Sequence, residues 1–131
     1  MSRCILDTDI VSFNFKNDSR ATMFDGLLAG KQLAISFVTM AELCRWPLAR
    51  GWGRKRIQAL EAALAHYFIL HSNPVICREW AKIVSIKGRP MGYHDAWIAA
   101  TALAYDLPLL THNRQDFEHV PGLVLLNGKA K

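Results

Sequence analysis

Short apolar runs that favour β-strand alternate with longer helical patterns along almost the whole chain, and this alternation constrains the fold more than any other feature. Cys4-Ile5-Leu6, Leu33 to Val38, Phe68 to Leu70, Leu107 to Leu110 and Leu123 to Leu126 read as strands. Between them, helices are expected from Asp9 or Ile10, over Arg20 to Ala29 with Gly30 at the C′ position, and from a Thr39 cap. Further helices are expected over Arg54 to Phe68, with Ile57, Leu60, Leu64 and Phe68 on one stripe, from Asn73-Pro74 to about Lys87, and over Tyr93 to about Tyr105. Such alternation argues for an α/β fold in which a mainly parallel central sheet is flanked by helices. In sheets of that kind the ligand lies beyond the carboxyl ends of the strands.

That rule picks out four carboxylates. Cys4-Ile5-Leu6 runs directly into Asp7, and Leu33 to Val38 runs into the helix that carries Glu42. Leu107 to Leu110 runs into Thr111, Asn113 and Asp116, while Asp95 opens an alanine-rich helix after the loop Gly88 to Gly92. Three strand ends and one helix start thus bring acids to one edge of the sheet. Mg²⁺ and Mn²⁺ are hard cations that take oxygen ligands, and carboxylates supply both the oxygen and the charge. A metal held there activates water and neutralises charge on a phosphoryl group, so no side-chain nucleophile is needed. Each acid also has an ordinary structural role. Thr39-Met40-Ala41-Glu42 fits a capping box, Asp95 suits the positive end of a helix, and Asp116 suits a turn. Their shared edge favours the metal site. The remaining acids, such as Asp18, Asp25, Glu61, Glu79 and Glu118, fall at turns or on helix surfaces.

A chain of 131 residues without repeats or linkers is expected to be one domain, residues 1–131. No apolar run approaches the ~20 residues of a membrane helix, and the N-terminus meets Asp7 before any hydrophobic leader can form. Cys4, Cys44 and Cys77 are odd in number and far apart, so they are expected to be buried thiols in a reducing cytoplasm. The net charge of +5 favours a polyanionic partner such as nucleic acid. The densest basic segment holds Arg45, Arg50, Arg54, Lys55 and Arg56 with no acid, and Trp46 and Trp52 lie among them. Arg50, Arg54, Lys55 and Arg56 are the candidate RNA contacts. Trp46 is expected in the core, Trp52 against RNA or a protein partner. His94 is expected on a helix surface or turn beside Asp95, and His66, His71, His112 and His119 lack zinc spacing. Met40 and Met91 read as core.

Four segments resemble the motifs of PIN-domain nucleases: Leu6-Asp7-Thr8-Asp9, Val38-Thr39-Met40-Ala41-Glu42-Leu43, Tyr93-His94-Asp95-Ala96-Trp97-Ile98-Ala99-Ala100-Thr101-Ala102, and Leu110-Thr111-His112-Asn113-Arg114-Gln115-Asp116-Phe117. The third and fourth are the specific ones. Order and spacing agree over nearly the whole chain, and within the family the likeness is to VapC toxins. The resemblance implies a three-layer PIN-like fold and an Mg²⁺- or Mn²⁺-dependent endoribonuclease. It also implies a VapB-type antitoxin that blocks the site, a homodimer, a larger complex with the antitoxin, and a structured RNA substrate such as a tRNA. Asp7, Glu42, Asp95 and Asp116 take the acidic positions, with Thr8, Thr111 and Asn113 in support. Asp9 departs from the usual Asn or Ser; it either adds a metal ligand or caps the following helix.

Two other readings compete. Asp7-Thr8-Asp9-Ile10-Val11 also fits the D-x-D-x-[TV] motif of haloacid-dehalogenase-like phosphatases, in which the first Asp is a nucleophile, but no later G-D-x-x-x-D segment or motif lysine accompanies it. A non-catalytic module that only binds RNA or a partner would not need all four acids.

Overall fold

The computed structural model describes residues 2–126. Strands β1 (Arg3–Leu6), β2 (Gln32–Ser36), β3 (Phe68–Leu70) and β4 (Leu109–Leu110) form a sheet in the order β3-β2-β1-β4, with every ladder parallel. Successive strand residues point to opposite faces. Ile5, Ala34, Leu70 and Leu109 join one core, and Cys4, Leu6, Ile35 and Leu110 join another. Helices α5 (Pro74–Val84) and α6 (Tyr93–Tyr105) fill the first core through Ile76, Ile83, Ala96 and Ile98. Helices α1 (Thr8–Phe15), α3 (Phe37–Arg50) and α4 (Arg54–Leu64) fill the second through Ile10, Leu43, Trp46 and Leu60. The expected three-layer α/β architecture is therefore the observed one.

The strand order locates the crevice. From β1 the chain steps outward to β2 and then β3, and returns to the far side of β1 for β4. The order reverses between β1 and β4, where an open α/β sheet splays its connections apart and takes its ligand. Leu6 pairs with Leu110, and the Asp7 amide donates to the Leu110 carbonyl at 2.9 Å. Asp7 and Thr111 therefore leave adjacent strand ends side by side at that crevice.

Several expected boundaries shift. β2 stops at Ser36 rather than Val38, because the Ser36 hydroxyl accepts the Thr39 N–H at 3.1 Å and caps α3. Thr39 is thus the third helical residue and not the cap, so the capping-box role of Glu42 falls away. Asp7 caps α1 in the same manner, which starts that helix at Thr8 and not at Asp9 or Ile10. The helix expected over Arg20 to Ala29 is a 3₁₀ turn, Ser19–Phe24, followed by the single turn α2 (Asp25–Leu28); Gly30 does end it, in the left-handed region at φ 74°. α4 ends at Leu64, so Phe68 opens β3 instead of extending the stripe. α5 ends at Val84, short of Lys87. Leu123 to Leu126 makes only a parallel bridge, Leu109 to Leu125, beside the two-residue β4. Of the three cysteines only Cys4 is buried; Cys44 and Cys77 sit on the solvent sides of α3 and α5. No helix among the described residues is long and apolar enough to cross a membrane.

Candidate active site

Asp7 is the fixed point of the crevice. It is 6% exposed, and each carboxylate oxygen accepts one bond: Oδ1 from the Thr8 N–H at 2.7 Å and Oδ2 from the Thr111 hydroxyl at 2.7 Å. Thr111, itself buried, accepts the Asn113 N–H at 3.0 Å, which ties the turn after β4 to the same point. Burial pushes the Asp7 carboxyl up despite the hydrogen bonds from Thr111 and Thr8, and the charge of Asp116 pushes it further.

Asp9 neither caps α1 nor stands free. Its Oδ2 accepts the His112 N–H and the Asn113 side-chain amide, both at 3.1 Å, so α1 grips the loop that follows β4. Its Oδ1 is buried and has no partner. Burial, and then the neighbouring charge of Asp7, raise the Asp9 carboxyl to about 7. Asp95 lies in the first turn of α6 and is raised by burial and then by the charges of Asp7 and Asp116. Asp95 and Asp116 line one cavity of about 180 Å³, whose rim includes Arg89, Met91, Gln115 and His119. Both ring nitrogens of His119 are buried there without a partner. The Arg89 guanidinium donates to the Gln115 carbonyl at 3.4 Å.

The structure thus gathers Asp7, Asp9, Asp95 and Asp116, but it does not bring Glu42 into that group. Glu42 is half-buried on α3, and its carboxylate lies 3.6 Å from Arg45 one turn later. The charges that raise Asp7, Asp9 and Asp95 are those of one another and of Asp116.

The donor set fits a hard divalent cation. It is all oxygen, burial and then mutual repulsion leave its carboxyls reluctant to ionise, and one buried carboxylate oxygen lacks any partner. Among the described residues no three His, Cys, Asp or Glu side chains are grouped so that they could hold a metal ion by themselves. Mg²⁺ does not require such a group, since it keeps several waters and is held by one or two carboxylates together with substrate phosphates.

Beside the acids runs a line of hydroxyls that the sequence reading did not single out. Ser36 contacts Thr39 at 3.4 Å, Thr39 contacts Thr8 at 2.9 Å, and Thr8 lies 3.5 Å from His94 Nε2. His94 is exposed on the first turn of α6, as expected, and it also reaches the edge of the site, where its charge lowers Asp7 and Asp95. The α-helical spacing of Tyr93-His94-Asp95 hides this, because which side of α6 meets α1 is a tertiary fact.

The basic segment lies elsewhere. α3 starts at the carboxyl edge of the sheet and rises roughly 21 Å over its 14 residues, which carries Arg50 away from that edge. There the Arg50 guanidinium sits 5.0 Å from the Trp46 ring and that of Arg56 sits 4.4 Å from the Trp52 ring. Trp46 is buried, as expected. Trp52, expected to meet RNA or a partner, is half-buried: it stacks on Phe15 with centroids 5.7 Å apart and packs against the second core. Arg54 and Lys55 are fully available at the surface.

A family model described as "PIN domain" matches residues 4–123. Ribonuclease VapC1 of Haemophilus influenzae (strain R2866) is 33% identical over 91% of this chain and 92% of its own. The tRNA(fMet)-specific endonuclease VapC of Shigella flexneri is 27% identical over 94% of this chain and 96% of its own. The solved structure of VapBC-1 from nontypeable Haemophilus influenzae superposes with a TM-score of 0.80 at 31% identity, covering 95% of this chain and 97% of that one. The acidic crevice at the strand-order reversal sits inside the matched span, and with it the chain belongs to the PIN-domain family, among its VapC ribonucleases.

Proposed function

We propose that this chain is a divalent-metal-dependent endoribonuclease that acts as the toxin of a toxin–antitoxin pair. The crowding of Asp7, Asp9, Asp95 and Asp116 at the β1/β4 switch point carries this reading, since four acids brought together without a cation repel one another. Asp7, Asp95 and Asp116 would hold Mg²⁺ or Mn²⁺, and Glu42 joins them by releasing Arg45. When bound, the cation supplies Lewis acidity toward the scissile phosphate and an acidified water.

The chain's own groups do the rest. The Thr8 N–H and the Thr111 hydroxyl orient the Asp7 carboxylate. Asn113 and His112, held by Asp9, fix the loop that carries Asp116. Arg89, on the rim of the cavity that Asp95 and Asp116 line, offers its guanidinium to a substrate phosphate.

A structured RNA such as a tRNA is the proposed substrate. The natural inhibitor is a VapB-type antitoxin that inserts a basic side chain among the acids, as Arg pairs bidentately with carboxylates. A homodimer working in the cytoplasm, able to enlarge with the antitoxin, is the proposed assembly. Total RNA incubated with the antitoxin-free chain should gain new ends with Mg²⁺ and none with EDTA. Equal cleavage by an Asp95→Asn variant would remove this reading.

A further inference from the structure

Tyr93 is 67% exposed, yet its ring is not loose. It meets Trp80 edge-on, with centroids 5.2 Å apart and planes at 70°. Trp80 in turn stacks on Trp97 at 4.5 Å and 11°, and Trp97 meets Phe37 at 5.7 Å and 69°. Phe37, Trp80 and Trp97 all pack against the first core. The exposed ring is thus the outer rung of a four-ring ladder rooted in the protein interior. Such edge-to-face and offset contacts hold aromatic rings in one orientation.

Its position adds the second observation. Tyr93 is the first residue of α6, two residues before Asp95, and it follows Gly92, which lines the cavity of Asp95 and Asp116. Lys87 and Arg89 are exposed on the loop just before it. A flat π-face next to a cavity that holds both the Arg89 cation and the Asp95 and Asp116 carboxylates matches a nucleotide, which offers a base to stack and a phosphate to pair. An apolar peptide would leave those charges unused. Bases inside an RNA helix are already stacked, so only an unpaired base can use such a ring.

We propose that Tyr93 is a stacking platform for an unpaired base beside the scissile phosphate. This rests on the ribonuclease reading above. Trp80 and Trp97 are positioning residues that hold the platform, and Tyr93 itself touches the substrate.

The test is a short single-stranded oligoribonucleotide carrying 2-aminopurine, mixed with the full chain in EDTA so that nothing is cut. The parent and Tyr93→Phe should quench the probe and bind alike. Tyr93→Ala should lose the quenching and bind roughly five- to a hundredfold more weakly, the range of one base–aromatic stack. Tyr93→Leu keeps an apolar side chain for Trp80 but has no π-face, and should also lose the quenching. A perfectly paired RNA of the same sequence should bind parent and Tyr93→Ala equally. Parent-like affinity and quenching in both the Ala and Leu variants would overturn the proposal. So would variants that bind the probe normally but no longer retain the antitoxin, which would make Tyr93 part of a protein interface. If the parent quenches the probe yet cuts no RNA with any divalent cation, the platform stands and the nuclease reading falls.

Discussion

The two ends of α3 are opposites. At its start the sheet edge crowds Asp7, Asp9, Asp95 and Asp116, and burial plus mutual repulsion raise three of them. Near its end Arg50 and Arg56 lie over the rings of Trp46 and Trp52, and Arg54 and Lys55 of the next helix are exposed to solvent. The basic end is electrostatically at rest: its aromatic packing and open solvent satisfy it. The acidic end is not, and only a group from outside the chain relieves it. A region that stays strained after folding is where function is to be sought. Distance sharpens the contrast. A basic surface at the far end of α3 can gather a large polyanion while the acids at its start do the chemistry.

The largest effect should come from the acidic end. Asp7→Asn and Asp95→Asn should each lower the RNA cleavage rate by on the order of a hundredfold or more, with the fold kept, because each removes a charge that the cation needs. Rates of product formation at saturating RNA, read beside circular dichroism spectra, check this. Glu42→Gln should cost less, about tenfold, since that carboxylate is paired with Arg45 and must leave it to join the site. A loss as deep as that of Asp95→Asn would mean that Glu42 is a full member of the group.

The basic end should move affinity and leave chemistry alone. Replacing Arg54, Lys55 and Arg56 together by Gln should weaken RNA binding and reduce the slope of log affinity against log salt by about two, while cleavage at saturation is little changed. Unchanged binding with loss of the antitoxin or of the dimer would make this end a protein interface.

The smallest effect is on the metal-free protein's pH profile. The Asp9 carboxyl is raised from 3.8 to about 7, so between those values the folded chain binds more protons than the unfolded one. Stability should therefore fall as pH rises from about 4 to about 7 and level off above, because ionising the buried group opposes folding. Chemical denaturation at several pH values in EDTA reads this slope, and Asp9→Asn should flatten it.

The alternation of strand and helix was legible in the sequence because periods of 2 and 3.6 are local properties. So was the gathering of Asp7, Asp95 and Asp116, because a parallel sheet sends its strand ends to one side. Thr39 was misread because Thr-x-x-Glu satisfies a capping box on paper, whereas the preceding Ser36 already holds the Thr39 amide. His94 was underrated and the Ser36–Thr39–Thr8 line was missed for one reason: each contact joins elements far apart in the chain. Trp52 was read only for contacts outside the chain, and its packing on Phe15 and Arg56, again from distant or separate elements, was not legible. Asp9 was left open between two roles; it does not cap α1, and it holds the loop of Asn113 while its second oxygen stays without a partner.

The most direct measurement is the melting temperature of the metal-free chain titrated with Mn²⁺. A cation that binds only the folded state stabilises it by mass action, to about 2.7 kcal/mol at a hundred times its dissociation constant. The melting temperature should rise with Mn²⁺ in the parent and in the Arg54, Lys55 and Arg56 triple variant alike, and stay flat in an Asp7→Asn, Asp95→Asn double variant. A parent whose melting is indifferent to millimolar Mn²⁺, or a double variant that still responds in full, would contradict a cation site at the β1/β4 edge.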